Sequence, residues 1–435
     1  MGSALEWYDF AVFGYLAEPL GKAFFPQVGG AWPLIASFAV FAAGYVMRPV
    51  GSLVLGPLGD RLGRRAMLSL SIILMGGASA GIAVLPSAAR WGVAATALLV
   101  TLRLLQGLSL GAEYTGSITY AAEAAAPERR GLMAALAVAG GQVGFLLGSL
   151  SVALLSAWLG EAELLRWGWR LPFAAGALVA LFGLALRRAM PETLLSAAPE
   201  SPSAVSLDPA PDPAAGPLAG LFAPLAGQGG LLLEIGALVA FANVVFYVLF
   251  IYLVEFHSYP PLGHGPAAVG DPALVNTITT ANQSLGLLAV LFGGWLCDRI
   301  GALRAVGYGH WALLLVAPLA LPLAQMGGAR GLALGQLLAV LPVFATMGGQ
   351  GGMVLASVPP ERRCTVFSLA YSLAMALCGG TAPLLCSWML EQQGWLWGPA
   401  LYSSLYALPA FWAMGRFRRR AAATASAATT TTAAA

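Results

Sequence analysis

The chain's 435 residues are 59% hydrophobic, and only 9% are Asp, Glu, Lys or Arg. A soluble domain carries roughly 25% charged residues, so 22 basic and 19 acidic side chains cannot skin a water-soluble protein of this length. The net charge of +3 matters less by its size than by its placement, which serves a bilayer rather than a nucleic acid.

A membrane-spanning helix needs about 20 apolar residues. Runs of that kind lie near 4–22, 32–57, 66–86, 92–122, 132–158 and 170–189. Six more lie near 231–256, 272–297, 305–325, 330–357, 364–390 and 395–415. They are continuous, unlike the ~10-residue alternating segments of an outer-membrane barrel, so the fold expected is an all-α integral membrane protein with twelve transmembrane helices. Residues 191–230 interrupt the series. Eight prolines fall between Pro191 and Pro224 among Ala, Ser and Gly, too little apolar surface to order the segment. The organisation expected is a six-helix bundle over 1–190, a flexible cytoplasmic linker over 191–230 and a second six-helix bundle over 231–415. An Ala/Thr tail over 416–435 is expected to be cytoplasmic and disordered.

The basic residues orient the chain. With a cytoplasmic N-terminus, fifteen fall in inner loops and the tail, five lie outside, and Arg48 and Arg103 sit inside spans. That positive-inside bias places both termini in the cytoplasm. One lysine against 21 arginines suggests a GC-rich bacterial genome and an inner membrane.

The halves repeat one another. Phe13-Gly14-Tyr15-Leu16-Ala17-Glu18 recurs as Phe250-Ile251-Tyr252-Leu253-Val254-Glu255. Gly56-x-Leu58-x-Asp60-Arg61-x-Gly63 recurs as Gly294-x-Leu296-x-Asp298-Arg299-x-Gly301, and Pro127-Glu128-Arg129-Arg130 as Pro360-Glu361-Arg362-Arg363. Three ordered matches at nearly one offset argue for duplication, the architecture of many secondary transporters.

At these residues the sequence resembles the major facilitator superfamily, whose signature between helices 2 and 3 looks like Gly56-Pro57-Leu58-Gly59-Asp60-Arg61-Leu62-Gly63-Arg64-Arg65. Further stretches resemble its metabolite:proton symporter family: Glu6-Trp7-Tyr8-Asp9-Phe10 with Phe24-Phe25-Pro26, Arg48-Pro49-x-Gly51, Arg103-x-x-Gln106-Gly107-x-x-x-Gly111-x-Glu113, and Trp167-Gly168-Trp169-Arg170-x-Pro172-Phe173. The match is specific in the first half and looser in the second. Members usually carry a cytoplasmic segment before helix 1, whereas here Met1 almost adjoins it. Ala112 replaces a usual glycine, Ala302-Leu303 replace the basic pair in the second loop copy, and no coiled-coil heptads follow helix 12.

Ionisable groups inside spans usually mark a pathway or a pair. Here they are Glu6, Asp9, Arg48, Arg103 and Glu113, all in the first half, with Glu6 shallow enough to suit the cytoplasmic interface. Arg103 lies roughly 17 Å from the outer end of helix 4, near the midplane, and can fork onto a substrate carboxylate; the structural alternative is a fixed bridge to Asp9 or Glu113. The expected substrate contacts are Arg103, Gln106, Tyr114, Asn243 and Tyr247, with Tyr114 and Tyr247 offering ring faces to an ammonium. Asp9 and Glu113 are the expected proton-coupling acids, and Arg48 a cavity charge. Asp60, Arg61, Arg64, Arg65, Asp298 and Arg299 read as a cytoplasmic gate. Gly140, Gly144 and Gly148 form GxxxG steps for close packing.

Gly107-Leu108-Ser109-Leu110-Gly111 fits a nucleophile elbow by letters only, since it lies mid-helix with no histidine in the same half. Three histidines and the scattered Cys297, Cys364, Cys378 and Cys386 leave no metal cluster and no disulfide framework. An enzyme is not expected, nor any cofactor beyond the proton gradient; the partners expected are a small solute, protons and lipid, with a single chain sufficing. The resemblance allows proline or betaine, 2-oxoglutarate, citrate and shikimate. Few deep cations, and a likeness of Gly14-Tyr15-Leu16-Ala17, Gly21-Lys22-x-Phe24-Phe25-Pro26 and Asn243-Val244-x-x-Tyr247 to the proline/betaine branch, favour a zwitterion. Organic-acid symport and a non-coupled facilitator or sensor are the alternatives.

Overall fold

The computed structural model describes residues 2–25, 32–188, 225, 227–258, 269–379, 381–391 and 394–433. Among them the structure is helical: α1 Gly2–Tyr15, α2 Ala17–Phe24, α3 Trp32–Arg61, α4 Arg64–Val84, α5 Ala88–Trp91, α6 Val93–Glu123, α7 Arg130–Glu163 and α8 Arg170–Arg188. The second half gives α9 Gly229–Tyr247, α10 Leu253–Ser258, α11 Pro272–Ile300, α12 Ala302–Met326, α13 Gly328–Ser357, α14 Arg363–Ala374, α15 Ala382–Glu391, α16 Gly398–Leu405 and α17 Ala407–Ala433.

Among the described residues, nine of the twelve expected runs are helices long and apolar enough to cross a membrane. The other three, over 4–22, 364–390 and 395–415, are each divided between two helices, α1 and α2, α14 and α15, and α16 and α17. Large apolar side chains such as Trp158, Leu178, Leu315 and Leu319 point outward, as a lipid-facing surface requires. The recurring Phe-x-Tyr-Leu motif falls where the helices deform: α1 gives way to α2 at Leu16, and a π-helical turn spans Val248–Tyr252 before α10.

The chain forms two compact units that do not follow the expected boundary. Unit 1 comprises 1–124, 137–226 and 359–372; unit 2 comprises 125–136, 227–358 and 373–435. The start of α7 thus belongs with the second half, and the start of α14 with the first. The expected linker lies outside the described residues except for 225 and 227–230, the last two opening α9. The tail expected to be disordered instead continues α17 to Ala433. Alanine, the best helix former, carries the helix on from the span.

In unit 1, α3 packs on α6, and α4 on both α6 and α8. Lipid gives apolar helices no reason to associate, so small residues that let backbones approach hold the bundle. A Cβ on Gly51 would lie 1.9 Å from the Leu108 carbonyl oxygen, and one on Gly107 2.3 Å from that of Gly44. On α7 the face that meets α1 is Gly141, Gly144 and Gly148; a Cβ on Gly144 would stand 1.9 Å from the Ala4 carbonyl. Gly140, expected on that face, has no neighbour within 4 Å. In unit 2, α13 packs on α11 and α12 by the same device, with Gly293 against Ala345 and Gly348 against Val290.

Candidate functional site

Arg103 lies on α6, ten residues after its start, and is fully buried in unit 1. Its Nη1 donates to Gln106 Oε1 at 2.9 Å, the i+3 neighbour on the same face. The Gln106 amide donates in turn to Asp9 Oδ2 at 3.4 Å and to Ser79 Oγ at 3.0 Å. Ser79 closes the circuit with a short hydrogen bond to Asp9. The guanidinium carbon stands 4.0, 4.4 and 5.2 Å from the ring centroids of Phe10, Phe13 and Phe41. Nε and Nη2 of Arg103 have no hydrogen-bond partner, and neither has Asp9 Oδ1.

Neither an Arg103–Asp9 nor an Arg103–Glu113 bridge forms. Gln106 stands between Arg103 and Asp9, and Glu113, ten residues along α6, is about 15 Å away along the axis at 1.5 Å per residue. Glu113 is gripped instead by both terminal nitrogens of Arg187, one at 3.3 Å and the other closer. Arg187, one of the fifteen basic residues assigned from the sequence to inner loops and the tail, is 5% exposed and stands at the penultimate position of α8. Its signal was in the sequence: the buried stripe Phe173, Gly176, Ala180 and Gly183 continues to position 187 at helical spacing.

Glu6, expected near the cytoplasmic interface, is 1% exposed and pairs with Arg48 at 3.0 Å. Arg48 also lies 5.9 Å from the Trp7 ring centre and 5.7 Å from that of Tyr45. Tyr114 is buried, edge-on to Trp7 at 6.3 Å and 5.1 Å from Tyr371. Asn243 and Tyr247 belong to unit 2. Asn243 donates to the Val239 carbonyl one turn back, and Tyr247 packs edge-on to Phe246 at the last residue of α9.

The repeated loops meet in exchanged pairs. Asp60, ending α3, accepts from the backbone nitrogens of Cys364 and Thr365 at 3.0 and 2.8 Å and from the Thr365 hydroxyl at 2.5 Å. Asp298, its counterpart on α11, accepts from the nitrogens of Gly131 and Leu132 at 2.7 and 2.9 Å. Each carboxylate thus caps the helix that follows the other half's Pro-Glu-Arg-Arg, where the helix dipole favours an anion. Gly56 and Gly294 permit the approach: a Cβ there would meet Thr365 Cα at 2.8 Å and the Gly131 carbonyl oxygen at 2.5 Å.

The two copies differ around that core. Arg64 is fully buried and bonds Asp60 at 2.7 Å, Glu123 at 3.2 Å and the Pro360 carbonyl at 2.5 Å, while Arg363 reaches Glu123 at 2.7 Å. Positions corresponding to Arg64 and Glu123 in the second copy are Ala302 and Ala356. Arg65 bonds the Arg188 carbonyl at 2.7 Å, Arg61 is exposed, and Arg299 lies over Trp295 at 5.5 Å. Neither Arg61 nor Arg299 joins an interhelical ion pair among the described residues.

Comparison with known proteins places the chain. The family model "Sugar (and other) transporter" matches residues 1–206. A putative proline/betaine transporter of Staphylococcus haemolyticus is 30% identical over 413 residues, covering 94% of this chain and 84% of that one. The glycine betaine/proline/ectoine/pipecolic acid transporter OusA of Dickeya dadantii is 31% identical over 410 residues, covering 94% and 79%. Among solved structures, the proton:xylose symporter XylE superposes with a TM-score of 0.65 at 19% identity, covering 95% of this chain and 92% of that one. The E. coli fucose:proton symporter FucP gives 0.64 at 13% identity, covering 95% and 98%. Those two likenesses establish the fold, and the close sequence relatives establish the kinship. The chain is a multi-pass membrane transporter of the major facilitator superfamily, belonging to its metabolite:proton symporter family and resembling the proline/betaine permeases within it.

Proposed function

We propose that the chain imports a zwitterionic osmolyte of the proline or glycine betaine type together with a proton, by alternating access. The observation that carries this reading is Arg103. A buried guanidinium with two unpartnered donors is costly, and a carboxylate with two acceptor oxygens matches that fork. Gln106 links the same guanidinium to Asp9, so a ligand arriving on Arg103 changes what Asp9 faces. A carboxylate left buried without a cation takes up a proton, and substrate and proton then load together.

The charge pairing favours a zwitterion. Arg48 is matched by Glu6 and Arg187 by Glu113, leaving Arg103 as the cation for a ligand carboxylate; a di- or tricarboxylate would want more. Tyr114, Asn243 and Tyr247 are proposed as further solute contacts, and the names of the relatives support the same class. Asp60 and Asp298, with the Arg64–Glu123–Arg363 network, form the proposed cytoplasmic gate. The protein works in a bacterial inner membrane with both ends cytoplasmic, and the proton gradient drives it without a cofactor.

Purified protein in proteoliposomes tests this reading. A zwitterion moving with one proton carries one positive charge, so an inside-negative potassium diffusion potential should speed betaine and proline uptake. A monocarboxylate with one proton carries none. If neither betaine nor proline is transported, and excess of both leaves a carboxylate tracer untouched, the zwitterion reading is wrong.

A further inference from the structure

Glu6 is a buried acid that enters the scheme above only as the partner of Arg48. It stands three residues before Asp9 on α1, so the two side chains lie on one face with Cβ atoms about 5–6 Å apart. Both are fully buried, and each has one carboxylate oxygen without a partner, Oε2 of Glu6 and Oδ1 of Asp9.

Polar groups descend beside them in step. At the level of Asp9 stand Ser79 on α4 and Gln106 on α6. One to two turns on, Ser71 and Ser109 pair hydroxyl to hydroxyl at 3.0 Å. Glu6, Ser71, Ser109 and Glu113 line a narrow crevice between α1, α4 and α6 there, together with Leu5, Ile72 and Met75. Glu113 in turn is held by Arg187, next to the last residue of α8. Polar groups so aligned through an otherwise apolar helix interface need a reason, since each is expensive in a membrane.

We infer that Glu6 is the acceptor that takes the coupling proton from Asp9 and hands it, by way of Glu113, toward the cytoplasmic side. The O–H bond on Asp9 breaks, one forms on Glu6 Oε2, and Asp9 returns to a carboxylate facing Gln106 and Arg103. The O–H bond on Glu6 then breaks as one forms on a Glu113 carboxylate oxygen, Glu113 releases the proton to cytoplasmic water, and Glu6 is left as the anion paired with Arg48. The charged and titratable groups around Glu6 are Asp9 on its own helix, Arg48 from α3, Glu113 from α6 and Tyr371 from α14. Arg48 keeps the faces of Trp7 and Tyr45 while Glu6 is neutral.

This inference rests on Asp9 being the coupling acid, so the experiment separates the two. The full chain carrying Glu6→Gln, and separately Asp9→Asn, is reconstituted in proteoliposomes with an entrapped pH dye. Betaine exchange, which needs no proton release, is read beside net efflux and the proton movement it drives. Glu6→Gln should keep exchange at the wild-type rate while net efflux with its proton flux falls about 100-fold, the scale of losing one proton-transfer group. Net proton-coupled efflux at the wild-type level in Glu6→Gln overturns the relay. Loss of exchange as well also overturns it, because Glu6 then acts on the solute or the packing. Full coupling in Asp9→Asn removes the underlying reading together with the relay. If Glu6→Gln does not reach the membrane, the pair Glu6→Gln with Arg48→Gln leaves no unmatched buried cation and is judged by the same outcomes.

Discussion

Arg103 is defined by shape as much as charge, because its planar fork offers two parallel donors where a lysine offers one point charge. Arg103→Lys keeps the cation and the fold, and initial betaine uptake should drop about 100-fold, a loss of roughly 2–3 kcal/mol in line with charge-assisted hydrogen bonds. Uptake near the wild-type rate would mean that the fork does not hold the solute. Asp9→Asn should abolish pH-driven accumulation yet leave downhill exchange; accumulation to the wild-type level would remove Asp9 from coupling. The Glu113–Arg187 pair calls for a different measurement. Removing one member of a buried pair strands the other at about 3–5 kcal/mol, so Arg187→Ala should unfold at a clearly lower temperature in detergent. Arg187→Met with Glu113→Gln, which strands nothing, should recover most of that loss.

Helix ends carry the proposed gate, and the two copies are not equal. Asp60 caps α14 inside a network of Arg64, Glu123 and Arg363, whereas Asp298 caps α7 with alanines at the matching positions. Asp60→Ala should therefore raise labelling of cysteines placed in the inner vestibule more than Asp298→Ala does. Equal labelling in the two variants would contradict the asymmetry, and no change in either would contradict gating. Close helix packing is testable at the same scale. A side chain on Gly144 would run into the α1 backbone, so Gly144→Leu should destabilise by about 1–3 kcal/mol, the usual cost of overpacking. Gly140→Leu, facing open space, should be near neutral. Of the three glycines named from the sequence, Gly144 and Gly148 meet α1 and Gly140 does not, because GxxxG spacing marks a stripe and only the neighbouring helix decides where along it contact is made.

Across the whole molecule, the distribution of arginines predicts orientation. A fluorescent protein fused after residue 415 should glow in the cytoplasm, and alkaline phosphatase at the same place should be inactive; an active phosphatase fusion would invert the topology. Helix number, the duplication and membrane residence were legible in the sequence, because hydropathy and repeats are properties of segments and need no partner. The buried acids were equally visible, since a charge in an apolar run stands out wherever it ends up. Partner choice was not visible. Glu113 pairs with Arg187, 74 positions away, rather than with Arg103 on its own helix. Asp60 caps the helix start in the other half, about 300 positions along. Segments specify where a charge sits along a helix axis, but rotation about that axis and the identity of the neighbouring helix decide which opposite charge it meets. Those are set only when the helices pack, and so the tertiary structure alone decided that Arg103 keeps two donors open while every other deep cation is matched.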